Sequence, residues 1–174
     1  MKHAWNIRHS LPSGSDGLLS TDPIEAILSL RGVAGETDRK RFLMPNYDTD
    51  LHDPFLFPDM RTLIDRVKKA KENKEKIGVF GDYDADGITS SVIVRRVLER
   101  LGFVVVPYIP DKLTEGHGLH KNALDAFGRE GIRLVFTVDC GMMNHTEIDD
   151  AVSRAMDVIV IDHHHVPEKL PAAF

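Results

Sequence analysis

The spacing of apolar residues changes character at Ile77. Upstream, they recur at helical intervals in three short segments. Ile24, Ile27, Leu28 and Leu30 follow Ser20-Thr21-Asp22-Pro23 and stop at Gly32. A second segment covers Glu36–Leu43 before Pro45, and a third runs over 58–71 with Met60, Leu63, Ile64 and Val67 directed inward. A capping residue before proline at the first helical position, and a glycine after the last apolar one, mark helix ends. Downstream, apolar runs of strand length alternate with helical stretches: strand 77–80, helix 88–101 closed by Gly102, strand 103–109, helix 121–127, strand 134–139, helix 146–156 and strand 158–162. Such alternation predicts an α/β fold, a parallel sheet with crossover helices, preceded by short N-terminal helices. Pro12, Gly14 and Gly17 break any period at the start, so three parts are expected: an extended arm over 1–19, a helical segment over 20–76 and the α/β domain over 77–174.

Length and composition narrow the class. A chain of 174 residues that is 42% hydrophobic can bury an ordinary core. Its formal charge of −5 gives no global footprint for nucleic acid, but a local basic groove or an acidic metal site can sit inside that total. Lys68, Lys69, Lys71, Lys74 and Lys76 are interrupted by Glu72 and Glu75, which reads as a solvated helix end. The single cysteine, Cys140, excludes an internal disulfide framework and fits a reducing compartment. With no secretory apolar stretch at the start, the chain is expected to be cytoplasmic, and no run approaches membrane-spanning length.

Chemistry concentrates where three strand-like runs end. The first ends in Asp82-Tyr83-Asp84-Ala85-Asp86-Gly87. On extended backbone, residues two apart point the same way, so Asp82, Asp84 and Asp86 are expected in one pocket, where a bound cation relieves their repulsion. The same six residues open like an EF-hand loop, but its twelfth position, which needs a bidentate glutamate, is Ile93, in an apolar helical stripe with Val92, Val97 and Leu98. Capping of the following helix accounts for one aspartate and leaves the others unexplained. The second run ends in Asp139 and the third in Asp162-His163-His164-His165, a set suited to one imidazole ligand and one proton donor. His120 and His145 read as helix-start residues, His117 as a substrate contact in a glycine-flanked loop, and Cys140 as a small buried thiol. Carboxylates suit magnesium or manganese, with an added imidazole favouring manganese. Two such ions can activate a hydroxide and neutralise phosphoryl oxygens, which points to phosphate-ester hydrolysis. No GxxxxGK[ST] loop or GxSxG elbow offers another route.

At these residues the chain resembles the DHH phosphoesterases, and within them the RecJ-type single-strand-specific exonucleases. Phe42-Leu43-Met44-Pro45, Asp59-Met60, Gly81 to Gly87, Tyr108-Ile109-Pro110-Asp111, Glu115-Gly116-His117-Gly118-Leu119, Val138-Asp139-Cys140-Gly141 and Asp162-His163-His164 stand in the family's order. The resemblance implies that Asp84, Asp86, Asp139 and His163 ligate two manganese or magnesium ions, with Asp82 a further candidate. It places the catalytic His164 near the scissile phosphate and makes Asp162 the residue that orients His163 and His164. Lys112 stands where the family often has arginine and His117 where it often has tyrosine, both in a loop expected to meet substrate. By resemblance the substrate is single-stranded DNA, cut 5′ to 3′ in repair and recombination, and the partners are single-strand-binding protein and a recombination helicase. A DHH phosphodiesterase of short oligonucleotides or cyclic dinucleotides is the alternative, with a non-catalytic binding module that keeps the fold as a third reading. The family continues to a further ligand aspartate, a second domain with a glycine-rich motif and an oligonucleotide-binding module. The chain is therefore expected to be an N-terminal catalytic piece, with little or no exonuclease activity by itself.

Overall fold

The structure, a computed structural model, describes residues 22–174, so the arm expected over 1–19 lies outside the described residues. The chain divides into two compact units, with the boundary between Asp53 and Pro54. In the first, α1 (Pro23–Leu30) starts at Asp22, whose carboxylate accepts from the Ile24 N–H at 2.8 Å, with proline in the first turn. The second helix, α2 (Glu36–Leu43), and a short unforeseen turn, α3 (Tyr47–Asp50), complete it. Arg39 ties α2 back to α1, donating to Glu25, to Ser29 Oγ and to the Val33 carbonyl.

The second unit opens with one 3-10 turn, Pro54–Leu56, and α4 (Met60–Glu72). Then follow β1 (Ile77–Gly81), α5 (Ala85–Arg100), β2 (Val105–Tyr108), α6 (Lys121–Arg129), β3 (Leu134–Val138), α7 (His145–Ser153) and β4 (Asp157–Ile161). The strands form one parallel sheet in the order β2-β1-β3-β4. Side chains alternate across it with period two. Ile77, Val79, Leu134, Phe136, Val138 and Ile159 pack with Ala70 of α4 and Leu98 of α5, whereas Phe80, Val135 and Val158 pack with Leu124 and Phe127 of α6 and Ile148 of α7. Each strand is therefore apolar on both faces, the composition a parallel sheet covered by helices requires. No described helix is long and apolar enough to cross a membrane.

Two expectations need correction. Helix α5 begins at Ala85, three residues before the expected start, and β1 ends at Gly81 with a bend at Tyr83 and Asp84, so no extended run aligns the three aspartates. The apolar stripe of α5 also splits: Leu98 is buried, but Val92, Ile93 and Val97 are exposed. The inward face is instead made of Gly87, Ser91 and Leu98, with Val94 half-buried beside them. Close approach explains this choice of small residues. A Cβ on Gly87 would run into the Asp82 backbone, and one on Gly81 into Ser91 Oγ and the Gly87 carbonyl. The glycine pair lets the start of α5 press against the end of β1.

At the amino end of the sheet, α4 contributes a buried charge that its apolar pattern hides. Arg66 is 6% exposed. Its guanidinium donates to Asp157 at 2.5 Å and to Glu75 at 2.8 Å, joining α4 to the first residue of β4. Burial disfavours the charge, but the two carboxylates outweigh it and raise the Arg66 pKa.

The strand order locates the site. After β2 the chain crosses back over β1 to place β3 on its other side, so connections leave β1 and β3 in opposite directions and a crevice opens beyond their carboxyl ends. Asp82 and Asp84 follow β1, and Asp139 follows β3.

Candidate metal centre

Each acid at the crevice is held differently. Asp82 directly follows β1 and is 2% exposed, its Oδ2 lying 2.6 Å from His117 Nδ1. Its Oδ1 is buried with no hydrogen-bond partner. An orphaned buried carboxylate oxygen costs free energy unless a cation or donor meets it, so this atom fits a metal site. Asp84 is the N-cap of α5, and its Oδ1 accepts from the Asp86 and Gly87 N–H groups, both at 3.0 Å. Those bonds, the one from Gly87 first, hold its carboxyl below the usual carboxylate range. Capping occupies Oδ1 and leaves Oδ2 for a ligand, so the two roles are compatible. Asp86 lies in the exposed first turn of α5.

Asp139 sits in a left-handed conformation, φ +61°, two residues before Gly141 at φ +119°. Such backbone is costly for a residue other than glycine, and it turns the carboxylate into the crevice. Burial pushes the Asp139 carboxyl up, and the neighbouring Asp84 charge adds to the shift, while His164 and His163 oppose it. A carboxylate whose ionisation is opposed both by burial and by a neighbouring acid is the electrostatic signature of a missing positive charge.

Asp162 and the histidines leave the end of β4. Asp162 Oδ2 accepts from the Met142 N–H at 3.1 Å, while Oδ1 accepts from the His164 N–H at 3.1 Å and meets its ring Nδ1 at 2.7 Å. Burial pushes the Asp162 carboxyl up, but these hydrogen bonds outweigh it and hold it low. The same hydrogen bond raises the pKa of His164. His163 Nε2 lies 3.0 Å from Asp139 Oδ1. Asp139, His163 and His164 each offer a ligating atom, all within 4.8 Å of one another. Asp84 and Asp86 do not join that set, although both are close enough for their charges to act on Asp139.

The loop after β2 closes the crevice. Asp111 Oδ1 accepts from the Leu113 and Thr114 N–H groups, and Glu115 accepts from the Tyr108 hydroxyl at 2.6 Å and from the Asp111 N–H at 2.9 Å. Burial first, and the hydrogen bond to Glu115 second, push the Tyr108 hydroxyl up to about 12. The loop so held places the Lys112 ammonium over the Tyr83 ring, 5.2 Å from its centre, and His117 on Asp82. The structure thus brings His117 into the acid cluster and leaves Lys112 on its outer side. The bracing roles of Tyr108, Glu115 and Asp111 escaped the sequence reading. An aspartate followed two and three residues later by free N–H groups is the one local signal of such a turn. His120 and His145 stand at the starts of α6 and α7. Cys140 is buried, and burial pushes its thiol up, away from nucleophilic character.

A parallel sheet that gathers carboxylates and imidazoles beyond its carboxyl ends defines an α/β domain built to hold divalent cations. The chain belongs to the DHH family: the profile of the DHH family, N-terminal domain, matches residues 76–174. It is 35% identical over 174 residues to the single-stranded-DNA-specific exonuclease RecJ of Bacillus subtilis, covering 98% of this chain and 22% of that protein. The same-named exonuclease of Thermus thermophilus is 41% identical over 105 residues, which is 60% of this chain and 16% of that one. A crystal structure of exonuclease RecJ bound to manganese superposes with TM-score 0.60 at 37% identity, covering 65% of this chain and 29% of that chain. The structure of RecJ from Thermus thermophilus in complex with Mn2+ gives TM-score 0.60 at 30% identity, covering 87% and 20%. The chain therefore spans about a fifth of the length of these relatives.

Proposed function

We propose that residues 77–174 are the catalytic domain of a metal-dependent exonuclease that hydrolyses phosphodiester bonds of single-stranded DNA in repair and recombination, with manganese or magnesium as cofactor. The observation that carries it is the convergence of Asp139, His163 and His164, with ligating atoms within 4.8 Å, in a chain 35% identical to a single-strand-specific exonuclease along nearly its whole length. Asp139 and His163, with Asp84, Asp86 and Asp82 from the β1 exit, are the residues that hold the ions. Divalent ions there supply Lewis-acid activation of the attacking water and neutralise phosphoryl charge. Asp162 orients the His164 ring through the 2.7 Å hydrogen bond. His164 is thereby set to give a proton to the departing oxygen. Lys112, exposed on the outer side of the loop, meets the phosphate backbone of the strand.

Single-turnover cleavage, with protein in excess over 5′- or 3′-labelled substrate in Mn2+, tests this reading. Cleavage of single strands is expected in preference to duplexes and dinucleotides, slowly, and lost in Asp139→Ala and His164→Ala variants. Cleavage confined to dinucleotides would favour a short-oligonucleotide phosphodiesterase. Absence of Mn2+ binding would mark a non-catalytic module.

A further inference from the structure

We propose that His117 is itself a ligand of the divalent-ion site, set in place by Asp82, and that it biases the site toward manganese over magnesium. This rests on the metal-centre reading above. Asp82 is 2% exposed and holds His117 Nδ1 at 2.6 Å through Oδ2, while its Oδ1 is buried without a partner. A carboxylate that accepts a hydrogen bond from Nδ1–H fixes the tautomer and leaves Nε2 as the ring's lone-pair donor, the arrangement in which an imidazole ligates a metal. The same pairing recurs across the crevice, where His164 Nδ1 lies 2.7 Å from Asp162, another carboxylate with a side chain only 3% exposed.

The two rings so oriented meet edge to face. Their centres are 5.9 Å apart and their planes meet at 76°. His163 continues the series, its ring centre 4.7 Å from that of His164. Asp139, His163 and His164 form the set whose ligating atoms lie within 4.8 Å of one another, and His117 stands at its border, beside His164 and on Asp82. His117 also acts electrostatically on Asp84, so the ring belongs to the acid cluster as a whole. Its side chain is 56% exposed while Asp82 is buried, which leaves the ring at the mouth of the site, where an ion can reach it. Magnesium favours oxygen ligands and retained water, whereas manganese accepts imidazole nitrogen more readily. A further imidazole therefore separates the two ions in affinity.

Affinities of the 174-residue chain for the metals alone decide the matter, with Mn2+ followed by electron paramagnetic resonance of the free ion and Mg2+ by competition. In His117→Asn the side-chain amide keeps a donor for Asp82 but has no Nε2, and His117→Tyr keeps a hydroxyl donor. Both are expected to weaken Mn2+ binding by about tenfold or more. Both should leave Mg2+ within about twofold, since magnesium gains little from an imidazole. Unchanged Mn2+ affinity in His117→Asn, with metal-free melting profiles confirming the fold, would overturn the proposal. Equal losses for both ions would also overturn it, because His117 would then act only by holding Asp82. An Asp139→Ala variant separates the levels: if it abolishes Mn2+ binding while His117→Asn does not alter it, this inference alone fails. If Asp139→Ala binds Mn2+ like the parent chain, the metal-centre reading fails first.

Discussion

The two ends of the sheet treat buried charge in opposite ways. At the amino end, Arg66 is taken out of water and neutralised within the chain by Glu75 and Asp157. At the carboxyl end, Asp82 and Asp139 are likewise withdrawn from water, yet Asp82 meets only the His117 ring, and Asp139 meets His163 under the opposing charges of Asp84 and Asp86. Internal compensation serves stability, and a buried anion left short of positive charge serves binding. The contrast locates function more sharply than acidity alone, because half-buried carboxylates elsewhere, such as Asp125 and Asp150 on Arg154, are ordinary ion pairs.

Metal addition should give the largest effect. Mn2+ at about 100 times its dissociation constant stabilises the folded state by about 2.7 kcal/mol if it binds only that state. A rise in melting temperature of the parent chain, absent from an Asp84→Ala, Asp139→Ala double variant, is expected in differential scanning calorimetry. Equal melting temperatures for the two at saturating metal would erase the distinction between the ends. Next in size is the amino end. Arg66→Met should cost about 2 kcal/mol in urea unfolding, below the roughly 3–5 kcal/mol of a fully buried pair, because Asp157 is 43% exposed and regains water.

The opposite sign is expected at the open end. Asp139→Asn removes a charge that burial disfavours and keeps a residue type tolerant of left-handed backbone, so the metal-free chain should gain about 1 kcal/mol while losing Mn2+ binding. A destabilised Asp139→Asn variant would show that this carboxylate is structurally compensated after all. The smallest effect is pH-dependent. Hydrogen bonds from the Tyr108 hydroxyl, first, and the Asp111 N–H hold the Glu115 carboxyl below its usual value. A lowered folded value means that its contribution is complete above the unfolded pKa of about 4.3 and is lost as pH falls through the folded value. The melting-temperature gap between the parent chain and Glu115→Gln should therefore be widest near neutrality and close in acid. A gap independent of pH would assign the loop's stability to packing instead.

The architecture of the second unit was legible because its cues are local. Runs such as Val158-Ile159-Val160-Ile161, bounded by polar turns, identify buried strands, and the crossover elements follow from their alternation with helical spacing. Family membership was legible for the same reason: its motifs are short contiguous strings. Less legible was the start of α5. Asp84 serves as its cap, and a helix entered from a tight turn shows no apolar periodicity until it has passed the glycine that meets β1. The burial of Arg66 was hidden because its partners stand 9 and 91 residues away.

Residue types and their order were enough to determine the strands, the helices and the ligand chemistry, since period, capping and charge act over a few residues of chain. The pairing of Asp82 with His117 spans 35 residues and that of Asp139 with His163 joins the ends of two strands, so both depend on strand order and loop closure. Parallel neighbours meet only after long crossovers. Which acid keeps an unpartnered oxygen, and which imidazole faces it, was therefore settled by the packed sheet.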